Sequence, residues 1–401
     1  MGSAGRQKRV LILVQNLSVP FDRRVWQEAR CLQGNGYQVS VICPKGKGEC
    51  AREVIDGVRI RRYNPVIEGN SGLGYLLEYS IAMFWMFTLS MREALRPGFD
   101  VVHACNPPDL LFIVAAFYKV FLGKRFVFDH HDICPELYEA KFGRRGLGYK
   151  ILLLLEKATF RIADVSIATN ESYRDIAIGR GGMAPERVFV VRSGPDLERV
   201  RAVKPAPELK NGKQHLIGYV GVIGRQEGVE YLLDAARFLR DEYGKDYCLF
   251  RLVGSGPDLP RLKQMSRSRG VDDVVAFMGR CTDEILMRVL STSDVCVNPD
   301  EFNEMNDKST MNKVMEYMAL GKPLVQFDLA EGRVTAEGAS LYAEVNDARD
   351  MAEKIHYLLE RPEMRIEMGE AGRQRVREVL AWSHQEDNLI NAHEAASDSG
   401  A

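Results

Sequence analysis

Several things are scarce or missing in this 401-residue chain. Its apolar runs are short. The run that starts at Gly72 is broken by Glu78, which leaves 13 uncharged residues, 79–91, where a membrane span needs about 20. The run 110–118 is shorter still, so both read as core or surface-docking helices. Net charge is nearly absent: 54 basic and 55 acidic residues leave −1, which argues against charge-driven nucleic-acid binding. The eight cysteines form no CxxC pair and no Cys/His set with zinc-finger spacing. Several lie in apolar runs, as Cys296 does in SDVCVNP, and a reducing cytoplasm is the expected compartment. The amino terminus is polar up to VLILV, so no signal peptide is expected. No GxGxxG follows the first strand, which disfavours an NAD enzyme. No Asp-rich motif suggests a metal. What remains is globular composition, 46% hydrophobic and 27% charged, which excludes global disorder.

The near-zero charge conceals an asymmetry. Residues 1–203 hold 29 Lys/Arg against 21 Asp/Glu, and residues 204–401 hold 25 against 34. That suggests two domains with different partners. KRVLILVQ, YQVSVICP, FDVVHAC, RFVFDHHD and ADVSIAT read as strands, alternating with helical stretches at 23–34, 74–95, 109–121 and 148–163. Alternation of this kind predicts a doubly wound parallel sheet. The segment 204–213, rich in basic residues with little apolar content, reads as a linker. The alternation then restarts with HLIGYVG, CLFRLVG, VVAFMG, DVCVNP and KPLVQFD. We expect domains at 8–203 and 214–380, followed by a helical segment 381–395. In sheets of this type ligands bind beyond the carboxyl ends of the strands.

Two segments carry chemistry. YVGVIGRQEGVEYLL runs strand, glycine loop, helix. Gly221, Gly224 and Gly228 allow close backbone approach, and Arg225 suits phosphate oxygens. NPDEFNEMNDKSTMNKVMEYMALGKPLV predicts a helix that starts near Ser309 or Thr310. Such a start offers the N–H groups of Met311 and Asn312 to an anion. Lys313 and Glu316, three apart, share a helix face. In the first half, His103 in VVHACNPPD and the His131–Asp132 pair in VFDHHDICPE fall at strand ends. Arg23 and Arg24 follow the first strand. KFGRRGLGYKILLLLEKATFRI mixes Lys141, Arg144, Arg145, Lys150, Lys157 and Arg161 with leucines, as a membrane-surface helix over 141–161 does.

With these segments in hand, the chain resembles the nucleotide-sugar glycosyltransferases of family 4 (glycosyl transferases group 1), retaining enzymes of the GT-B fold. MEYMALGKPLV resembles their LEAMAxGxPVV run, and GYVGVIGRQEGVEYLLDAA their donor-domain glycine loop. FMGRCTDEILMRVLSTSDVCVNP and FDRRVWQEARCLQGNGYQVSVICP match further segments in the right order, so the likeness runs from Lys8 to about Asn391. It implies two facing Rossmann-like domains with a cleft between them, an amino-terminal acceptor domain and a carboxy-terminal donor domain. The segment 381–395 would pack back on the first domain. It also implies a UDP- or GDP-sugar as donor substrate, no cofactor or metal, and a glycan or lipid-linked acceptor in bacterial polysaccharide or glycoconjugate synthesis. The enzyme would be cytoplasmic, peripheral on the inner face of the membrane, and without nucleic-acid partners.

The resemblance also assigns roles. Glu316 matches the glutamate that binds the ribose hydroxyls, and Arg225 matches the arginine on the diphosphate. Two positions depart from the pattern. Lys308 stands where the family has its first glutamate, and Glu227 stands where it has a lysine. Lys308 is therefore expected to neutralise the diphosphate at the helix start, with Glu227 taking a sugar or structural contact. Catalytic roles fall to Arg225, Lys308 and His103, and donor contacts to Gly221, Gly224, Glu227, Met311, Asn312, Lys313 and Glu316. Acceptor contacts fall to Arg24, His131 and Asp132. Cys105 replaces the second histidine of the family's HxH. A nucleotide-sugar 2-epimerase of the same fold and a non-catalytic nucleotide-sugar-binding subunit are the alternatives.

Overall fold

The computed structural model describes residues 7–65 and 72–398. The chain divides into two compact units, residues 1–193 with 385–401, and residues 194–384. The division falls upstream of the stretch 204–213 expected as a linker. That stretch belongs to the second unit, where Ala206 is buried and its N–H donates to Thr292 Oγ1 at 2.9 Å.

The first unit is a sheet with helices on its faces. In chain order it comprises β1 (Arg9–Val14), α1 (Arg23–Gly34), β2 (Gln38–Pro44), β3 (Arg52–Ile55), β4 (Val58–Tyr63), α2 (Gly72–Leu95) and β5 (Val101–Cys105). There follow α3 (Phe112–Leu122), β6 (Arg125–His130), α4 (Cys134–Phe142), α5 (Leu147–Ile162), β7 (Val165–Ala168), α6 (Glu171–Gly179) and β8 (Val188–Val190). The strand order is β3-β4-β2-β1-β5-β6-β7-β8, parallel except for the β3–β4 hairpin. The central strands are apolar on both faces, as a sheet covered on both sides requires. α1 begins at Asp22, whose side chain accepts from the Val25 N–H. Basic residues 141–161 do not form one helix. Gly143 ends α4 in the left-handed conformation, φ 65°, and α5 begins after Gly146.

The second unit runs β9 (His215–Val220), α7 (Val229–Tyr243), β10 (Cys248–Val253), α8 (Leu259–Ser268), β11 (Val275–Gly279), α9 (Asp283–Thr292) and β12 (Val295–Asn298). It continues α10 (Glu304–Lys308), α11 (Asn312–Ala319), β13 (Leu324–Phe327), α12 (Ala330–Ala336), β14 (Ser340–Ala343), α13 (Ala348–Leu359) and α14 (Pro362–Arg375). Its sheet is wholly parallel, in the order β11-β10-β9-β12-β13-β14. The core between sheet and helices includes Leu232, Leu233, Phe250, Phe327 and Ile355.

The chain then returns to the first unit, where α15 (Glu386–Asp398) packs against β6, β7, β8 and α1. Gln385 Oε1 accepts from the Arg192 N–H at 3.0 Å, and Asn388 donates to the Val190 carbonyl at 3.0 Å. Leu389, Ala392 and Ala396 are buried. Their spacing of three and four residues presents one apolar face to the sheet.

Candidate functional site

In the second unit, polar residues gather beyond the carboxyl ends of β9 and β12. The glycine loop after β9 leads through a single turn, Arg225–Glu227, into α7. Gly228 starts that helix at φ 59°, and a Cβ there would lie 2.0 Å from the Pro299 carbonyl oxygen. Only glycine fits, because the β9 and β12 loops touch at this point. Asn306 joins the same loops, donating to the Gln226 carbonyl at 3.0 Å and the Glu301 carbonyl at 2.8 Å. Gly221 lies under the loop after β10, where a Cβ on Gly254 would come 1.8 Å from its carbonyl oxygen. These glycines serve protein–protein backbone contact first.

Lys313, in the first turn of α11, is the electrostatic centre. Its Nζ lies 2.7 Å from Asp300 Oδ1, 3.1 Å from Glu227 Oε2 and 5.2 Å from the Tyr219 ring centroid. Burial pushes the Asp300 carboxyl up to about 7, against the pull of Lys313. Burial disfavours the Lys313 charge as well, but Asp300, Tyr219 and Glu227 outweigh it and hold the ammonium well above its usual range. So Lys313 does not pair with Glu316 across one helix face. Glu316 instead pairs with Arg199, which also approaches Asp283 at 3.4 Å. Glu227 serves as a partner of Lys313.

Three expected residues, Met311, Asn312 and Lys308, are placed differently. The helix of Met311 and Asn312 starts later than expected, with Met311 as its N-cap and no side-chain cap bond. Its first amides therefore lack an intrahelical acceptor. Lys308 is not at this helix start. It closes the separate short helix α10, and its Nζ pairs with Glu304 at 2.6 Å. Asn303 caps the start of α10, and the extended backbone of Ser309, φ −95° and ψ 134°, ends it, so the stretch divides into two helices. Arg225 is exposed beside the glycine loop, and it makes no hydrogen bond or ion pair among the described residues.

In the first unit, the strand-end residues form a sealed charge cluster. Arg24 is buried, with Nη2 2.8 Å from Asp129 Oδ1 and 3.1 Å from Glu28 Oε1, and Nη1 donating to the Val191 carbonyl at 2.8 Å. His103 is fully buried. Its Nε2 lies 3.4 Å from Asp129 and 3.6 Å from Glu28, and its Nδ1 is 3.1 Å from His393 Nε2 on α15. The carboxylates favour the proton on Nε2, which leaves Nδ1 to accept from His393. Burial opposes ionisation of Asp129, but Arg24 and His131 outweigh it and hold the carboxyl well below its usual range. Burial, reinforced by the Asp129 charge, pushes Glu28 well above its own range. Arg24 and His103, expected at substrate, are thus committed to the interior. His131, hydrogen-bonded to Asp129, is the member that reaches solvent. Asp132 sits at the rim, its N–H bonded to Asn106 Oδ1 at 3.1 Å, and burial raises its pKa.

Ligand atoms of Glu28, Cys105, Asp129 and His131 lie within 4.8 Å of one another, close enough for a metal ion. Arg24 already occupies both carboxylates. Burial pushes the Cys105 thiol well above its usual range, which opposes the thiolate that a metal needs. The set is better matched to the Arg24 guanidinium than to a metal ion.

The sequence reading missed Glu28, Asp129, His393, Asp300 and Arg199. Glu28 carried a signal: Val25, Glu28, Ala29 and Leu32 share one helix face, so its carboxyl had to enter the core. Asp129 and Asp300 sit at strand ends, as their neighbours His131 and Pro299 do. Nothing local marks Arg199 or His393.

Comparison with known proteins agrees with this architecture. Residues 22–199 match the model of Glycosyltransferase Family 4, and residues 214–361 match that of Glycosyl transferases group 1. The two matches span most of the chain, and it belongs to this family of glycosyltransferases. It is 31% identical to the alpha-D-kanosaminyltransferase of Streptomyces kanamyceticus over 157 residues, 39% of each protein. It is 25% identical to the alpha-maltose-1-phosphate synthase of Mycolicibacterium smegmatis over 303 residues, 69% of this chain and 74% of that one. Among solved structures, sucrose-phosphate synthase from Thermosynechococcus elongatus superposes with a TM-score of 0.80 at 18% identity, covering 97% of this chain and 98% of that one. WaaG, a glycosyltransferase involved in lipopolysaccharide biosynthesis, gives 0.70 at 15%, covering 98% and 100%. Anabaena HepE in complex with UDP-glucose gives 0.70 at 15%, covering 96% and 99%. The fold is GT-B.

Proposed function

We propose that this glycosyltransferase takes its sugar from a nucleoside-diphosphate donor, UDP- or GDP-linked. It passes the sugar with retained configuration to a glycan or lipid-linked acceptor in bacterial polysaccharide or glycoconjugate synthesis. One observation carries the reading. The glycine loop and the uncapped start of α11 meet through the Lys313–Glu227 pair, with exposed Arg225 on the loop and Glu316 one turn into the helix. That arrangement suits a diphosphate on the helix amides and Arg225. Glu316, oriented by Arg199, would accept from the ribose hydroxyls. As the diphosphate departs it gains charge, which preorganised N–H groups and a guanidinium stabilise. This chemistry calls for no protein nucleophile. The Anabaena protein of similar fold, bound to UDP-glucose, supports a nucleotide-sugar donor.

Thermal shift with nucleoside diphosphates tests the donor. A ligand at about a hundred times its dissociation constant adds about 2.7 kcal/mol of stability. If no nucleoside diphosphate raises the melting temperature, the reading is lost. For a bound donor, release of nucleoside diphosphate only with acceptor marks a transferase rather than an epimerase. NMR of the product reads its anomeric configuration.

A further inference from the structure

The chain enters the second unit at Gly194, and local contacts fix its course from there. A Cβ on Gly194 would lie 2.2 Å from the Leu380 carbonyl oxygen and 2.7 Å from the Trp382 nitrogen, so a larger residue would force the two segments apart. Asp196 folds the residues that follow into a turn. Its Oδ1 accepts from the Glu198 N–H at 2.8 Å, and its carbonyl accepts from the N–H groups of Arg199 at 3.1 Å and Val200 at 2.9 Å. Val200 is buried in the cluster that holds Leu286 and Met287 of α9 and Val314 and Met315 of α11. Turn and anchor together set the neighbouring Arg199 where both helices supply it with an acid.

The guanidinium joins the two helices. Its Nη2 pairs with Glu316 Oε1 on α11, and its Nη1 lies 3.4 Å from Oδ1 of Asp283, the first residue of α9. Lys313, one turn before Glu316, does not compete for that carboxylate, because Asp300 and Glu227 hold its ammonium. The side chains of Glu316 and Arg199 are 14% and 21% exposed, so the pair lies within reach of a ligand. An ion pair in partial contact with water adds little to stability. What Arg199 adds is direction. A glutamate side chain loses rotamer freedom when it is fixed. Arg199 fixes it before a ligand arrives, and a carboxylate gripped at one oxygen keeps further acceptor positions for a hydroxyl. A site that hydrogen-bonds a hydroxyl rejects the analogue lacking it, provided the acceptor is held in place.

We infer that Arg199 is a positioning residue: it fixes the Glu316 carboxylate and so gives the donor site its preference for ribose over 2′-deoxyribose. The inference rests on the donor reading above, in which Glu316 accepts from the ribose hydroxyls. Titration calorimetry of the full chain with UDP and 2′-deoxy-UDP, and with GDP and 2′-deoxy-GDP, tests it without acceptor. The wild-type chain should bind the ribonucleotide at least about tenfold more tightly than its deoxy analogue. Arg199→Ala should shrink that ratio to about threefold or less, with the affinity for the deoxy analogue changed by less than about twofold. Arg199→Lys, which keeps the charge without the planar fork of donors, should give a ratio between the two. A purely structural role would lower the melting temperature, read by circular dichroism, and leave the ratio intact. The lysine variant carries the test if the alanine variant does not fold. A wild-type ratio in every folded variant overturns this inference and leaves the donor reading standing. Equal loss of both nucleotides overturns it too, and would assign Arg199 to a direct contact away from the ribose. A wild-type chain that binds both nucleotides equally removes the ribose contact of Glu316, and one that binds no nucleoside diphosphate removes the donor reading itself; the inference falls with either.

Discussion

At the end of β6, Asp129 is sealed beneath Arg24, His103 and His131. Just past β12, Asp300 is equally buried but shares its one cation, Lys313, with Glu227 on a surface loop. The two parallel sheets thus place carboxylates in similar positions to different ends. In the first unit two carboxyls meet an arginine and two histidines, His103 and His131, and His103 meets a third, His393, on α15. That cluster locks α15 to the sheet. In the second unit a lysine is held between two acids, while Arg225 stays exposed beside it and a helix start lacks a cap. Charge neutralised within the fold stabilises it, and charge left over is what a ligand meets.

Asp129→Ala should separate the clusters most sharply. It leaves Arg24 buried without its main partner and should cost about 3–5 kcal/mol of stability, read by urea unfolding at neutral pH. A cost near that of a surface substitution would place the lock elsewhere.

A smaller effect is expected at the exposed cation. Arg225→Ala should weaken nucleoside-diphosphate binding about ten- to hundredfold, with the melting temperature unchanged. Titration calorimetry measures both this variant and Lys308→Ala, whose half-buried i,i+4 pair with Glu304 contributes about 0.5 kcal/mol or less. Should Lys308→Ala lose the larger affinity, Lys308 rather than Arg225 meets the phosphates.

A pH-dependent effect concerns His130, buried among Phe128, Phe160 and Tyr173. Burial, with the Arg180 charge, pushes it down to about 3. The unfolded chain binds this proton near 6.5 and the folded one does not. Stability from neutral His130 is therefore present above pH 6.5 and lost as pH falls from there toward 3, by up to about 1.4 kcal/mol per unit. His130→Phe should flatten the unfolding free energy over that window; an unchanged slope would show that the ring is protonated in the folded state.

Local pattern carried the alternation of strand and helix, because period-two and period-3.6 spacing are written in neighbouring residues. It also carried the glycine loop, the helix of Glu316, and the match of ordered segments to a glycosyltransferase family. Tertiary structure alone decided the partners of the charges. Arg24 looked like a ligand contact because it follows β1, and His103 because it lies near the carboxyl end of β5. Only packing revealed that Glu28, Asp129 and His393, from three distant segments, close around them. Lys313 and Glu316 share a helix face, yet each takes its opposite charge from elsewhere, Lys313 from Asp300 and Glu316 from Arg199. Pairing of ions depends on distance and burial, and neither is set until helices far apart in the chain come to rest on a common sheet.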